Sequence, residues 1–279
     1  MVSFREFVNA FRDVGLNPGQ PVIVHASLSS IGEIRGGADT LLGALLMLSK
    51  GVMAPTFTYK TMIIPEVGPE DNGLAYGSGR DANRLAEFYR PDMPADPMMG
   101  VLPEVIRKHP KAKRSSHPIL SFSGIGVDQA LESQTLSEPL APIGVLAEQN
   151  GIVLLIGVNH TVNTSIHYAE RQAGRKQFVR WALTPQGVLE CPGFSGCSDG
   201  FEQAAPYLDP ITRTTQIGNA TLRAVLMAPM IQTISELIQK DPLVLLCHKT
   251  DERCEAVRRS VSASPGEEAP NTPLSREPA

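Results

Sequence analysis

The chain has 279 residues, 42% of them hydrophobic and 19% charged, with a formal charge of -4 at pH 7, which is the profile of a globular protein with room for one broad α/β domain. No Lys/Arg stripe interleaves with aromatics, which argues against nucleic acid or an anionic membrane as partner, whereas a mildly acidic surface tolerates a cationic substrate. No apolar run approaches the ~20 residues that span a bilayer, and the N-terminus MVSFREFVNAF carries Glu6 and no signal-peptide core, so a cytoplasmic protein is expected.

The first helix is expected to begin at Ser3, whose Ser-x-x-Glu pattern with Glu6 is a capping box, with Phe4, Phe7, Val8 and Phe11 forming its apolar face, and to end at Gly15. Pro21 to Ala26, PVIVHA, reads as a short buried strand. It runs into SLSSIGEIRGGAD, a loop of small hydroxyl and glycine residues before a helix over Thr40 to Leu48. Ser27, Ser29, Ser30 and Arg35 there are candidate donors to phosphate oxygens, and a tight turn that needs small residues is the alternative. Neither Gly-x-x-x-x-Gly-Lys nor Gly-x-Gly-x-x-Gly is present, which argues against a nucleoside triphosphate or a dinucleotide.

Gly51 to Thr58 predicts a second strand, and Tyr59 to Pro97 a long irregular segment rich in Pro, Gly and acidic residues. Such a segment is either a cover over a cationic ligand or a solvated loop. Leu102 to Lys108 predicts a helix. The basic run Lys108, Lys111, Lys113 and Arg114 after it either meets coenzyme phosphates or is solvated, and ILSFSG follows Pro118 as a strand. A helix with proline at its start covers Pro142 to Asn150.

The densest stretch is Ile152 to Glu170, IVLLIGVNHTVNTSIHYAE. A buried strand stops at Gly157, a polar loop follows, and a helix capped by Asn163 or Thr164 carries His167 and Glu170 three residues apart on one face. An imidazole beside a carboxylate at the carboxyl end of a strand suits general-base chemistry, and a core histidine with an ordinary acidic partner is the alternative. Beyond it FVRWAL and GVLE predict a hairpin about Gly187, GCSDGFEQAAPYL a turn and short helix, Ala228 to Lys240 a long helix, and Val244 to Cys247 a further strand. One domain over residues 1–260 is expected, with a disordered tail over 261–279. Cys191, Cys197, Cys247 and Cys254 form no Cys-x-x-Cys pair and are read as free thiols, with no metal assigned; a zinc knuckle including His248 is the alternative.

Four segments in order, HASLSSIGEIRGGADT, APTFT, RSSHPILSFSGIG and GVNHTVNTSIHYAE, resemble the aminoglycoside 3-N-acetyltransferase family. The resemblance implies a three-layer α/β/α fold with a mixed central sheet, acetyl-CoA as donor and a small-molecule amine as acceptor, with a homodimer as a further expectation. It puts the catalytic pair at His167 and Glu170 and the coenzyme along Ser27, Leu28, Ser29, Thr56, Phe57, Ser121 and Phe122. One departure concerns the acceptor: family members carry an aspartate before the helix where this chain has Thr161. In the expected reaction His167 takes the ammonium proton, Glu170 fixes its tautomer, and the Thr56 hydroxyl or N–H groups of the HASLSS loop hold the thioester oxyanion. Ser165 is an alternative nucleophile. An acceptor that is a different cellular amine is the alternative within the class. From another class, His25, His117, His160 and His167 are the candidate ligands of a metallohydrolase.

Overall fold

The computed structural model describes residues 1–263. Three of the apolar runs make the parallel centre of a mixed sheet: β1 (Pro21–Ala26) lies between β2 (Gly51–Pro55) and the strand Ile152–Ile156, with Val22 in register with both Val52 and Ile152. Strands covered on both faces need apolar side chains at every position rather than alternation, which is why these runs are continuous. The other strands are β3 (Met62–Ile63), β4 (Lys113–Arg114), β5 (Phe122–Ile125), β7 (Phe178–Thr184), β8 (Gly187–Phe194), β9 (Thr212–Ile217) and β10 (Ala220–Leu226), with Ile152–Ile156 as β6. Seven of them form one sheet in the order β4-β5-β2-β1-β6-β10-β9, in which β4, β5, β9 and β10 pair antiparallel to their neighbours. The remaining three, β3-β7-β8, form a small antiparallel sheet.

Successive side chains of the central strands alternate between two apolar cores. Val22, Val24, Leu154 and Ile156 pack with Phe7, Phe11, Leu41, Leu45 and Ile106, from helices Phe4–Asp13, Gly37–Leu48 and Val101–Lys108. Ile23, Val153 and Leu155 pack with Ile143, Leu146, Ile166, Met230 and Ile234, from helices Ala141–Glu148, Thr164–Gln172 and Met227–Lys240. Helices on both faces of a mixed sheet are the three-layer α/β/α arrangement expected from the resemblance.

Several local expectations are corrected. The second strand stops at Pro55, where the chain turns so that Thr56 and Thr58 bond the backbone of Ser121 and Ile119. The Ser27 loop contains a helical turn, Leu28–Ile31, and the next helix starts at Gly37 rather than Thr40. Val244 to Cys247 is the end of a turn over residues 242–245 followed by irregular chain, not a strand. The hairpin β9–β10 was not anticipated, nor was the helix Glu252–Ala263, which takes up the first residues expected to be tail; the rest of that tail lies outside the described residues.

The sheet places the site. β1 has parallel neighbours on both sides, with connections on opposite faces, so the loops leaving β1, β2 and β6 diverge at their carboxyl ends and leave a crevice. Gly157 brings two of these loops together: its φ is +67°, and a Cβ there would lie 2.7 Å from the Cβ of Ser30. On the same seam Ser27 N–H donates to Ile156 O at 2.9 Å.

Candidate active site

The crevice is a cleft of about 990 Å³. Ser27, Leu28 and Ser29 line it from the loop after β1, Phe57 and Tyr59 from the loop after β2, Thr161 to Thr164 and His167 from the connection after β6, and Ser195 to Asp199 from the chain after β8.

His167 is held from behind. The helix Thr164–Gln172 starts at Asn163, whose Oδ1 accepts from Ser165 N–H at 3.2 Å, so the cap is Asn163 rather than Thr164. One turn in, His167 Nδ1 lies 2.7 Å from Glu170 Oε2. An ionised carboxylate only accepts, so Nδ1 carries the proton and Nε2 keeps its lone pair. The other carboxylate oxygen, Oε1, accepts from Arg175 Nη1 at 2.7 Å. Arg175 in turn donates through Nη2 to Pro242 O at 2.9 Å and Val244 O at 2.7 Å. Only 3% of the Glu170 and Arg175 side chains is exposed, so the pair is anchored in the interior while His167, 8% exposed, reaches the cleft. Phe201 packs edge-on against the His167 ring with centroids 4.6 Å apart, which leaves the imidazole little freedom to rotate.

Sequence reasoning missed Arg175. The signal was there: a helix that places Glu170 on its buried face requires a cation or several donors beside it, and Arg175 follows directly after the Gly174 stop. Arg180 and Arg253 were also missed, and both line the cleft. Burial lowers the Arg180 guanidinium to about 10; it lies over the Phe194 ring at 5.0 Å and donates to the carbonyls of Asn72 and Gly73.

Other expected positions are not brought to the cleft. Thr56 is fully buried and its hydroxyl is committed to Ser121 O at 3.2 Å and Ser123 Oγ at 3.1 Å, so it does not face an oxyanion. Ser121 donates to Thr56 O and accepts from Arg114 Nε, and Phe122 packs edge-on behind Phe57 in the core. These three residues support the cleft wall rather than line it. Arg35 is exposed and outside the lining. The basic run does not line the cleft: Lys108, Lys111 and Lys113 are exposed, Lys108 pairing with Glu104 and Lys113 with Asp128, while Arg114 donates to the carbonyls of Met93 and Thr56. The segment 59–97 lends Tyr59 and Met62 to the lining, but its carboxylates turn away; Glu87 pairs with Lys60, Asp71 with Arg259, and Asp96 caps Met98 N–H.

The histidines are not a metal set. His117 Nδ1 accepts from the backbone N–H of Ile119 and Leu120, and His160 Nδ1 lies 3.2 Å from Asn163 Nδ2. Burial lowers His25 and His117 to about 4, so both are neutral. Among the described residues the His/Cys/Asp/Glu group within common ligand reach is Cys197, Cys247 and Cys254. Ser165 is fully buried, outside the lining and therefore out of reach of a substrate.

A carboxylate-oriented imidazole at the carboxyl ends of parallel strands, beside a cleft of this size, is the layout of an α/β enzyme site. The family model described as aminoglycoside 3-N-acetyltransferase matches residues 23–239, and the chain belongs to that family. Aminoglycoside N(3)-acetyltransferase III of Salmonella sp is 27% identical over 229 residues, covering 72% of this chain and 78% of the relative. Aminoglycoside N(3)-acetyltransferase IV of Salmonella sp is 26% identical over 256 residues, covering 86% and 89%. Among solved structures the fold is similar to the apoenzyme of aminoglycoside acetyltransferase AAC(3)-IVa, with a TM-score of 0.74, 24% identity and coverage of 93% of this chain and 97% of that one. It is also similar to YokD of Bacillus subtilis, with a TM-score of 0.73, 22% identity and coverage of 86% and 100%.

Proposed function

We propose that the protein transfers the acetyl group of acetyl-CoA to an amine of an aminoglycoside-type acceptor, with His167 as general base. The observation that carries the reading is the buried His167–Glu170–Arg175 chain ending at the cleft. A family neighbour whose structure is described as binary with CoASH supports the donor, and a histidine-to-alanine mutant of AAC(3)-IVa in complex with gentamicin supports the acceptor class.

An alkylammonium near pKa ~10 cannot attack a thioester until it loses a proton. His167 Nε2 takes that proton and the freed amine nitrogen bonds to the thioester carbon; the carbon–sulfur bond then breaks as the imidazolium returns its proton to the departing sulfur, and the second proton on nitrogen is lost to solvent. Glu170 stabilises the imidazolium formed in between, and Arg175 holds the Glu170 carboxylate in place. With Thr56 committed elsewhere, the role of holding the thioester oxygen passes in this reading to backbone N–H groups of the Ser27–Ser29 loop, which lines the same cleft. Burial pushes the Cys197 thiol up to about 11, so as a free thiol it is a poor nucleophile, in keeping with direct transfer.

The test is release of coenzyme thiol from acetyl-CoA over a panel of amines. His167→Ala should lower turnover by about 10²-fold or more while coenzyme A still raises the melting temperature. Near-wild-type turnover in the variant sinks the base assignment. Replacing Ser27 and Ser29 together by Leu should abolish the thermal shift, and an undiminished shift would place the coenzyme away from that loop.

A further inference from the structure

Beneath the wall formed by residues 195–199, three thiols converge from separate parts of the chain. Cys197 follows β8, Cys247 lies just past the turn that follows the helix Met227–Lys240, and Cys254 is in the first turn of the helix Glu252–Ala263. All three are buried, and their sulfurs lie within 4.8 Å of one another, Cys247 and Cys254 at 3.4 Å. Tetrahedral zinc with bonds of about 2.3 Å to sulfur spaces its thiolates by ~3.8 Å, so the three sulfurs already stand near the corners of one coordination tetrahedron. A disulfide would use two of them and leave no reason for a third to point at the same spot.

The surroundings add a sulfur contact. Three thiolates on a divalent cation leave a net charge of -1, and the nearby cations Arg253 and Lys249 are themselves paired with Asp251 at 3.1 Å and Asp199 at 3.0 Å. Asp199 N–H donates to Cys197 Sγ at 3.4 Å, the kind of contact that supports a coordinating sulfur. The backbone is also constrained there. Leu245 is held at φ +65°, a conformation a leucine rarely adopts, two residues before Cys247.

We propose that Cys197, Cys247 and Cys254 bind one zinc ion as three thiolates, leaving the fourth position to water. Cys191 and His248 fall outside the ligand group. Binding exchanges thiol protons for the cation, so uptake releases protons to solvent. The ion clips together the chain after β8, the 242–247 segment and the helix carrying Arg253. Arg175, which holds Glu170, donates to Pro242 and Val244 in that same segment, so the clip lies one connection behind the catalytic pair.

The experiment is metal analysis of the full chain purified under reducing conditions without chelator, followed by titration of the stripped protein with zinc and with cobalt(II). About one zinc per chain is expected, together with a rise in melting temperature on adding zinc back and a thiolate-to-cobalt charge-transfer band. Cys254→Ser should lose the metal and the band, and Cys191→Ser should keep both. Stripped wild-type protein that neither takes up cobalt with that band nor is stabilised by zinc overturns the proposal, as does a Cys247–Cys254 disulfide in its place. Should Cys254→Ser fail to fold, the wild-type titration decides alone. Neither readout depends on acetyl transfer, so failure here leaves the proposed activity standing, and the reverse holds.

Discussion

Arg175 and Glu170 form an ion pair at 2.7 Å with 3% of either side chain exposed, and the carboxylate oxygen not used by Arg175 orients His167. A pair this deep is not a surface ornament. Breaking it by Arg175→Met leaves a buried carboxylate without its counter-ion, which typically costs about 3 to 5 kcal/mol, and a clear drop in melting temperature is expected. Glu170→Gln keeps a hydrogen-bond acceptor and removes the charge. It should lower kcat by less than His167→Ala does and leave KM for the acceptor nearly unchanged, as read by steady-state kinetics. Equal losses in the two variants would mean that the imidazole and the carboxylate act as one coupled unit.

Acid should destabilise the fold through His25 and His117. Burial lowers both from 6.5 to about 4, so the folded protein holds them neutral where the unfolded chain would protonate them. Their contribution is present above pH 6.5 and is lost as pH falls toward 4, by roughly 3 kcal/mol for each group that conforms fully. His117→Asn keeps an acceptor for the N–H groups of Ile119 and Leu120 and cannot titrate in this range. Urea midpoints between pH 7 and 4 should therefore fall less steeply for the variant; parallel curves would remove His117 from the account.

Gly157→Ala tests the seam between β6 and the loop after β1. The position needs φ +67°, and the new methyl group would meet the Ser30 Cβ at 2.7 Å. A loss of about 1 to 3 kcal/mol is expected, together with weaker coenzyme binding because the Ser27–Ser29 wall must move. A variant with lower stability and an unchanged thermal shift by coenzyme A would separate the seam from the coenzyme.

What the sequence made legible followed from local rules, and what it hid depended on partners distant in the chain. PVIVHA and IVLLI are continuous apolar runs because they are central strands, and His167 and Glu170 are paired by helical spacing alone. The β9–β10 hairpin was missed because TRTTQI and ATLRAVL carry threonine and arginine along an outer part of the sheet; the Gly218–Asn219 turn between β-branched runs was the available signal. Thr56, Ser121 and Phe122 fell in matching segments, but residues beside a ligand and residues one layer behind it look alike in sequence. Only the packing of Phe122 on Phe57, and the commitment of Thr56 to Ser123, separates them. The thiol cluster joins residues up to 57 positions apart, so no spacing rule could reveal it.

The last prediction concerns the acceptor. Aminoglycosides carry several ammonium groups and need several carboxylates, yet the cleft presents Asp199, ion-paired with Lys249 at 3.0 Å, together with the cations Arg180 and Arg253. Thr161 lines the cleft where the family resemblance calls for aspartate, and its hydroxyl is turned to Asn159 Oδ1 at 2.6 Å. A missing carboxylate in a partly buried ammonium site costs about 2 to 5 kcal/mol, enough to turn a micromolar substrate into a poor one. The protein should therefore acetylate an aminoglycoside detectably but inefficiently, and Thr161→Asp should raise kcat/KM chiefly by lowering KM. Because the gain is electrostatic, it should shrink as salt rises. Steady-state kinetics of both proteins on one aminoglycoside across a range of ionic strength reads all three effects. If the parent is already efficient and the Asp variant is no better at any salt concentration, Thr161 does not set acceptor choice, and the polyamine is held by groups other than a carboxylate at that position.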